Sequence, residues 1–327
     1  MSVRVCSAED VTALLDLSAL LDVVESAFVR QGRGEVERPD RPHYPIGEGL
    51  DESRPRTPLG TGLTMPAYIH GNRFTVTKLA TVHEDNPERG LPTVQAQLVL
   101  QEADTGAPAG FMAGEDVTNA RTGCIGGLAA RHLAGESVAL GLVGAGTQAR
   151  WQARAVAAAT DVERVRVFSP SDSREQCATD LRETGLDAEA VDTPRAAVTN
   201  ADIVVTATTA TEPVFPADAL ADGTVVVAVG AYTAAMQELA PAVFQRAARV
   251  FADVPAEVAE TGDAVAAGLS ADDFHPLSAV FGGEADREAA DDVLVVCSVG
   301  TAVLDAAAAE HLFERAEERD IGTTVDL

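Results

Sequence analysis

The chain has 327 residues and a formal net charge of −27, from 51 acidic and 24 basic side chains. A charge of that size with no basic patch argues against nucleic-acid and anionic-membrane partners. No apolar run approaches the ~18 residues of a membrane span, no signal-peptide core opens the chain, and Cys6, Cys124, Cys177 and Cys297 lack metal-ligand spacing. The expectation is a cytoplasmic protein with reduced thiols and no metal. Acids are spread along the whole chain, and lysine has almost vanished. This pattern fits a salt-accumulating halophile, where counter-ions screen self-repulsion.

In chain order, residues 7–31 open with a Ser-x-x-Asp cap and carry Val11, Leu14, Leu15, Leu20, Leu21, Val24 and Phe28 at helical spacing. They predict two short helices ending at Gly32 or Gly34. Residues 35–60, rich in Pro, Gly, Arg and Asp, read as irregular. Strand-like runs follow at 61–65, 74–81, 94–101 and 108–113, then a helix over 117–134. From residue 137 the texture changes. Apolar strands at 137–143, 164–168, 202–208, 224–230, 249–252 and 293–297 alternate with helical or loop stretches, which predicts a parallel, doubly wound sheet. An Ala-rich helix with a frayed tail closes the chain.

Lys78 is the only lysine, against twenty-three arginines. It sits in the β-branched run Phe74-Thr-Val-Thr-Lys78-Leu-Ala80 and not in a charged stretch. Arg cannot imitate a compact ammonium with three rotatable donors. Lys78 therefore reads as a catalytic or substrate-binding ammonium, the alternative being a leftover on a solvated face.

Gly144-Ala-Gly146-Thr147-Gln148-Ala149 lies between a predicted strand and a predicted helix and matches G-x-G-x-x-A. Gly144 allows the tight turn, Gly146 lets a pyrophosphate approach the main chain, and Ala149 permits close helix–strand packing. The helix N-terminus would hold the phosphates. An acid after the second strand would select NAD. Here the chain reads Phe168-Ser169-Pro-Ser171-Asp172-Ser-Arg174. Two hydroxyls and an Arg favour the 2′-phosphate of NADP(H), and Asp172 leaves NAD(H) open. Thr208, closing the next strand, is counted among the cofactor-binding residues.

Several further motifs occur in a fixed order. Lys78-Leu-Ala-Thr-Val-His-Glu-Asp-Asn-Pro87, Gly90-Leu-Pro-Thr93, Thr105-Gly106 and Thr118-Asn-Ala-Arg121-Thr122 precede the glycine turn. Ser298-Val299-Gly300 and Asp305 follow the last strand. Together they resemble the ornithine cyclodeaminase/mu-crystallin family, which includes archaeal alanine dehydrogenase and cyclic ketimine reductases. The resemblance implies a homodimer with a Rossmann domain, residues 119–302, inserted into an α+β substrate and dimerisation domain, residues 1–118 and 303–327. It implies a carboxylate-binding Arg41, a substrate-pocket Met65, the substrate lysine Lys78 and a second active-site Arg121. Thr93 and Thr122 would lie near the cofactor, and Val299 and Gly300 would line the nicotinamide.

One departure matters. Cyclising members carry an Asp in a stretch like VGADxPGxxEL, where this chain reads Val229-Gly-Ala-Tyr232-Thr-Ala-Ala-Met-Gln-Glu238-Leu. The expected function is therefore an NAD(P)H-dependent oxidoreductase on the C–N bond of a small α-imino or α-amino acid. A cyclodeaminase and a non-catalytic, cofactor-dependent binding protein are the alternatives. Lys78 or Tyr232 would handle the proton, Tyr232 having a packing role as its other reading. His83 and Glu84 read equally as loop surface, and Asp305 as a helix N-terminal acid favoured by the dipole.

The charge generates a first prediction. The Debye length falls from ~10 Å at ~0.1 M salt to ~3 Å at ~1 M. The melting temperature should rise steeply between about 0.1 M and about 3 M KCl. An unchanged value would refute the halophile reading.

Overall fold

The computed structural model describes residues 2–50, 53 and 56–326. Part of the expected irregular stretch, residues 51, 52, 54 and 55, lies outside the described residues. The chain forms two compact units: residues 1–16, 33–118 and 302–327, and residues 17–32 and 119–301.

The first unit is built on a sheet whose strands run in the order Thr323–Asp326, Ser2–Cys6, Pro108–Ala113, Val94–Glu102, Phe74–Val82, Gly60–Ile69 and Val36–Glu37, with His43–Ile46 also on Gly60–Ile69. Three features differ from expectation. The first long strand runs straight through Pro66 to Ile69. Its outer neighbours, His43–Ile46 and Val36–Glu37, cover only residues 60–63 and 68–69, so Pro66 falls where no partner on that side asks for its missing N–H. The region after residue 35 thus contributes two short strands. Both chain ends are also strands, paired antiparallel from Ser2↔Asp326 to Val5↔Thr323, so the C-terminal tail is ordered by pairing.

The helix Ala302–Glu318 packs on the strands Gly60–Ile69 and Phe74–Val82, with Phe313 edge-on to Phe74 at 5.3 Å. Side chains alternate along a strand, and Phe74, Val76, Lys78 and Ala80 are the buried set. Across the sheet, Cys6, Met112, Leu98, Lys78 and Met65 stand in one register row. All five are buried, and Lys78 is the only charge among them. Asp305, in the first turn of the covering helix, meets it at 2.6 Å; the two side chains are 4% and 1% exposed. Asp305 has the expected helix position and, beyond it, is the counter-ion of the lysine.

The second unit holds a sheet in the order Ala188–Ala190, Asp161–Phe168, Ser137–Val143, Ile203–Thr206, Val225–Ala228, Val293–Cys297, Ala247–Ala252 and His275–Pro276, every pairing parallel. Its central strands are buried on both faces, as continuous Val, Ile and Leu runs require. The strand order reverses at Ser137–Val143, and the crevice beyond the carboxyl ends of such a reversal is the ordinary ligand position in open α/β sheets. The helix Leu17–Gly32 belongs to this unit: its apolar face meets the helices Thr147–Ala159 and Leu277–Phe281, with Phe28 and Phe281 5.2 Å apart.

Removing one partner of a buried pair strands the other charge, typically at a cost of about 3–5 kcal/mol. Lys78→Met and Asp305→Leu should each lose stability on that scale in urea unfolding. The double variant should recover most of it; additive losses would show that the pair is not a unit.

Candidate active site

In the first unit, Lys78 and Met65 are directly opposed, the thioether being 5% exposed. The Thr64 N–H donates to the Pro42 carbonyl at 3.4 Å. That contact brings half-buried Arg41, one residue before Pro42, alongside the Thr64–Met65 step. The main chain next to Arg41 thus runs beside the strand in which Met65 opposes Lys78. Thr93 is half-buried in the loop before Val94, where its carbonyl accepts from the His83 N–H at 2.8 Å. The His83 ring nitrogen Nδ1 lies 3.0 Å from the Leu59 carbonyl, while Glu84 is exposed.

In the second unit, the glycine turn forms as its spacing demands. Gly144 has φ +115°, and a Cβ there would meet the Ala207 carbonyl oxygen at 2.4 Å, so only glycine fits. Gly146 is the N-cap of the helix Thr147–Ala159 and makes no side-chain cap. A Cβ on Gly146 would meet nothing within 4 Å, while Ala149 is buried against the strand. Open space above an uncapped, 13-residue helix N-terminus suits a pyrophosphate. Thr147 is exposed at that terminus. Gln148 instead turns its amide to Asn119 at 2.7 Å. Arg150 donates to the carbonyls of Ala145 and Gly146 and stiffens the turn.

At the tip of Asp161–Phe168 the hydroxyls of Ser169, Ser171 and Ser173 form a closed ring at 2.7–3.4 Å. Arg174 donates to the Ser169 carbonyl and pairs with exposed Asp192 at 3.3 Å. Asp172 is exposed and caps nothing with its side chain.

Arg121 and Thr122 lie on the helix Glu115–Ala129, while Val299 and Gly300 follow the strand Val293–Cys297. Arg121 is 4% exposed, and Gly300, at φ +79°, lies so close that a Cβ would reach its guanidinium at 2.9 Å. Half-buried Thr122 gives its carbonyl to fully buried Gln152 at 2.8 Å. Tyr232 is 48% exposed on the loop after Val225–Ala228.

Three buried acids here escaped the sequence reading. Asp253 accepts from the Ser298 hydroxyl at 2.6 Å and from the N–H groups of Val254, Val299 and Gly300. It thereby fixes the Ser298–Gly300 turn beside Arg121. Asp263 accepts from the N–H groups of Glu238 and Leu239, each at 2.7 Å. Glu238, fully buried, takes four donors: the Thr208 N–H and hydroxyl, the Thr206 hydroxyl and the Gly230 N–H. Burial pushes its carboxyl up to about 7 against those bonds, and raises Asp253 and Asp263 likewise. Asp253 directly follows the apolar strand Ala247–Ala252, the one local signal among the three; Glu238 and Asp263 lie ten and eleven residues beyond the nearest preceding strand ends.

The ornithine cyclodeaminase/mu-crystallin family model matches residues 1–320. A Delta(1)-pyrroline-2-carboxylate reductase from Bacillus cereus is 34% identical over 277 residues, spanning 82% of this chain and 85% of its own. The structure of a Thermococcus litoralis Delta(1)-pyrroline-2-carboxylate reductase with NADH and L-proline superposes with TM-score 0.91 at 28% identity, covering 99% of this chain and 100% of that one. An archaeal alanine dehydrogenase dimer with bound NAD gives 0.90 at 26%, covering both chains fully. The protein described here belongs to the ornithine cyclodeaminase/mu-crystallin family.

Proposed function

We propose that the chain is an NAD(P)H-dependent oxidoreductase acting on the C–N bond of a small α-imino or α-amino acid, of the cyclic ketimine reductase or alanine dehydrogenase type. The observation that carries this reading is the buried Lys78 ammonium, held by Asp305 in an otherwise apolar row. The chemistry of its relatives supports it. Tyr232, in place of the cyclising members' Asp, disfavours the lyase alternative.

Reduction of a C=N bond adds a hydride to carbon and a proton to nitrogen. The dinucleotide, when bound, supplies the hydride. The glycine turn and the N-terminus of Thr147–Ala159 would hold its pyrophosphate, Val299 and Gly300 would line its nicotinamide, and Thr93, Thr122 and Thr208 would be further cofactor-binding residues. Arg41 and Arg121 bind the substrate carboxylate through charge-assisted bonds. Met65 shapes the pocket. Lys78 donates from Nζ toward the substrate nitrogen, with Tyr232 as a second proton-handling group.

Ser169, Ser171 and Arg174 favour NADP(H), because hydroxyls and a guanidinium complement a 2′-phosphate. The bound dinucleotides of the relatives are NADH and NAD, so NAD(H) remains the other cofactor of this reading. The protein acts as a homodimer in this proposal. The sheet face opposite Lys78 carries Val5, Phe111, Val99, Thr77 and Pro66 in one row, with Val5 and Phe111 exposed. Such an apolar face suits a second copy. No helix among the described residues is long and apolar enough to cross a membrane.

The test is nicotinamide absorbance with a panel of cyclic imines, and of keto acids with ammonia, at molar salt. Net NAD(P)H consumption is expected; ammonia release from ornithine without it would indicate the lyase. Lys78→Arg should lower kcat/KM by at least about a hundredfold, as should Lys78→Ala, since positioned proton transfer is worth about 10²–10⁴-fold. A nearly active Lys78→Arg enzyme would refute the role. Arg174→Ala should weaken NADPH about tenfold more than NADH, the scale of one charge-assisted bond. Equal losses would reject the NADP(H) preference.

A further inference from the structure

The strands Ile203–Thr206 and Val225–Ala228 lie side by side, and both end at the carboxyl edge of the sheet. Beyond them the chain comes unusually close to itself. A Cβ on Gly230 would meet the Thr208 carbonyl oxygen at 2.3 Å and the Glu238 carboxylate at 2.5 Å. On its other side Thr208 borders the glycine turn: a Cβ on Gly144 would meet its methyl at 3.2 Å. The Ala207 N–H donates to the Val143 carbonyl at 2.9 Å, which locks that edge in register. Thr208 is therefore a wall residue between the pyrophosphate turn and the loop that carries Tyr232.

One group holds this wall. Oε1 of Glu238 accepts from both the N–H and the hydroxyl of Thr208, at 2.7 and 2.8 Å. Oε2 accepts from Thr206 and Gly230, at 2.9 and 2.8 Å. Neither oxygen faces solvent, so the carboxylate has no role at a surface. A buried carboxylate is expensive unless its lone pairs are filled, and here they are filled by the two strand exits. The Glu238 main chain is itself tied to Asp263. The hub is thus braced from behind and reaches forward to one cofactor-side residue.

We propose that Glu238 is a positioning residue for the dinucleotide: it fixes Thr208 beside the glycine turn, and cofactor affinity depends on that placement. The proposal rests on the dinucleotide reading above. Asp cannot span the same donors, being one methylene shorter. Gln keeps the length but sets an amide N–H₂ against two of them.

The experiment is equilibrium binding of NADH and NADPH, read by nicotinamide fluorescence, on the folded wild-type protein, Glu238→Gln, Thr208→Val and the double variant. Glu238→Gln should weaken binding about tenfold or more, the scale of one or two lost bonds to a charged group. The KM for cofactor should rise while kcat stays within about threefold, because the reacting groups are untouched. In the Thr208→Val background, Glu238→Gln should change binding by less than about twofold, since the two act as one unit. Wild-type binding with an unchanged Glu238→Gln overturns the inference alone, as does a Glu238→Gln loss that persists undiminished without the Thr208 hydroxyl. Where Glu238→Gln does not fold, Thr208→Val decides: unchanged binding overturns the proposal. A wild-type protein that binds neither dinucleotide overturns the cofactor reading and this inference together.

Discussion

An ammonium in an apolar sheet face needs a carboxylate within reach, and that requirement organises the first unit. Lys78 stands between Leu98 and Met65 in a row that is otherwise hydrocarbon and sulfur. Without Asp305 the charge would have no place there. The ion pair therefore fixes where the first turn of Ala302–Glu318 sits on the sheet, and Phe313 packing on Phe74 fixes the other end. An arginine would need a wider, planar setting and could not take this place. One contact thus serves the fold and keeps the ammonium at a defined position.

The second unit meets the opposite problem. Parallel strands that stop side by side leave main-chain N–H groups in their exit loops, and these are costly to bury unmatched. Glu238, Asp253 and Asp263 absorb them. These interior acids differ in kind from the many that give the chain its charge of −27. The surface acids face water and need no main-chain donors. The buried ones are set by backbone geometry, and burial raises their proton affinity.

What could be read from the sequence was mostly local. Gly144, Gly146 and Ala149 announce their turn because each solves a steric problem within a few residues. Lys78 stood out through its rarity and its place in an apolar, β-branched run. Asp305 looked like a dipole acid because its partner lies far back in the chain. Pro66 suggested a strand end at 65, since nothing local reveals that the neighbouring strands leave that position uncovered. The terminal strands were invisible for the same reason: short segments far apart in the chain become strands only by finding each other. Glu238 was in view but without a role, because its four donors come from loops set by the sheet.

The arrangement of the first unit also bears on synthesis. Its sheet draws on residues 2–6, 36–113 and 323–326, and its covering helix begins at Ala302. A ribosome delivers all of the second unit before the last of these pieces. Domains tend to fold as units during translation, so the second unit can close while the first still waits for its final strand and helix. During that interval Lys78 lacks Asp305 and Phe74 lacks Phe313. The nascent first unit is then an open sheet without its covering helix, and it becomes a finished body only when Ala302–Glu318 and then Thr323–Asp326 leave the ribosome.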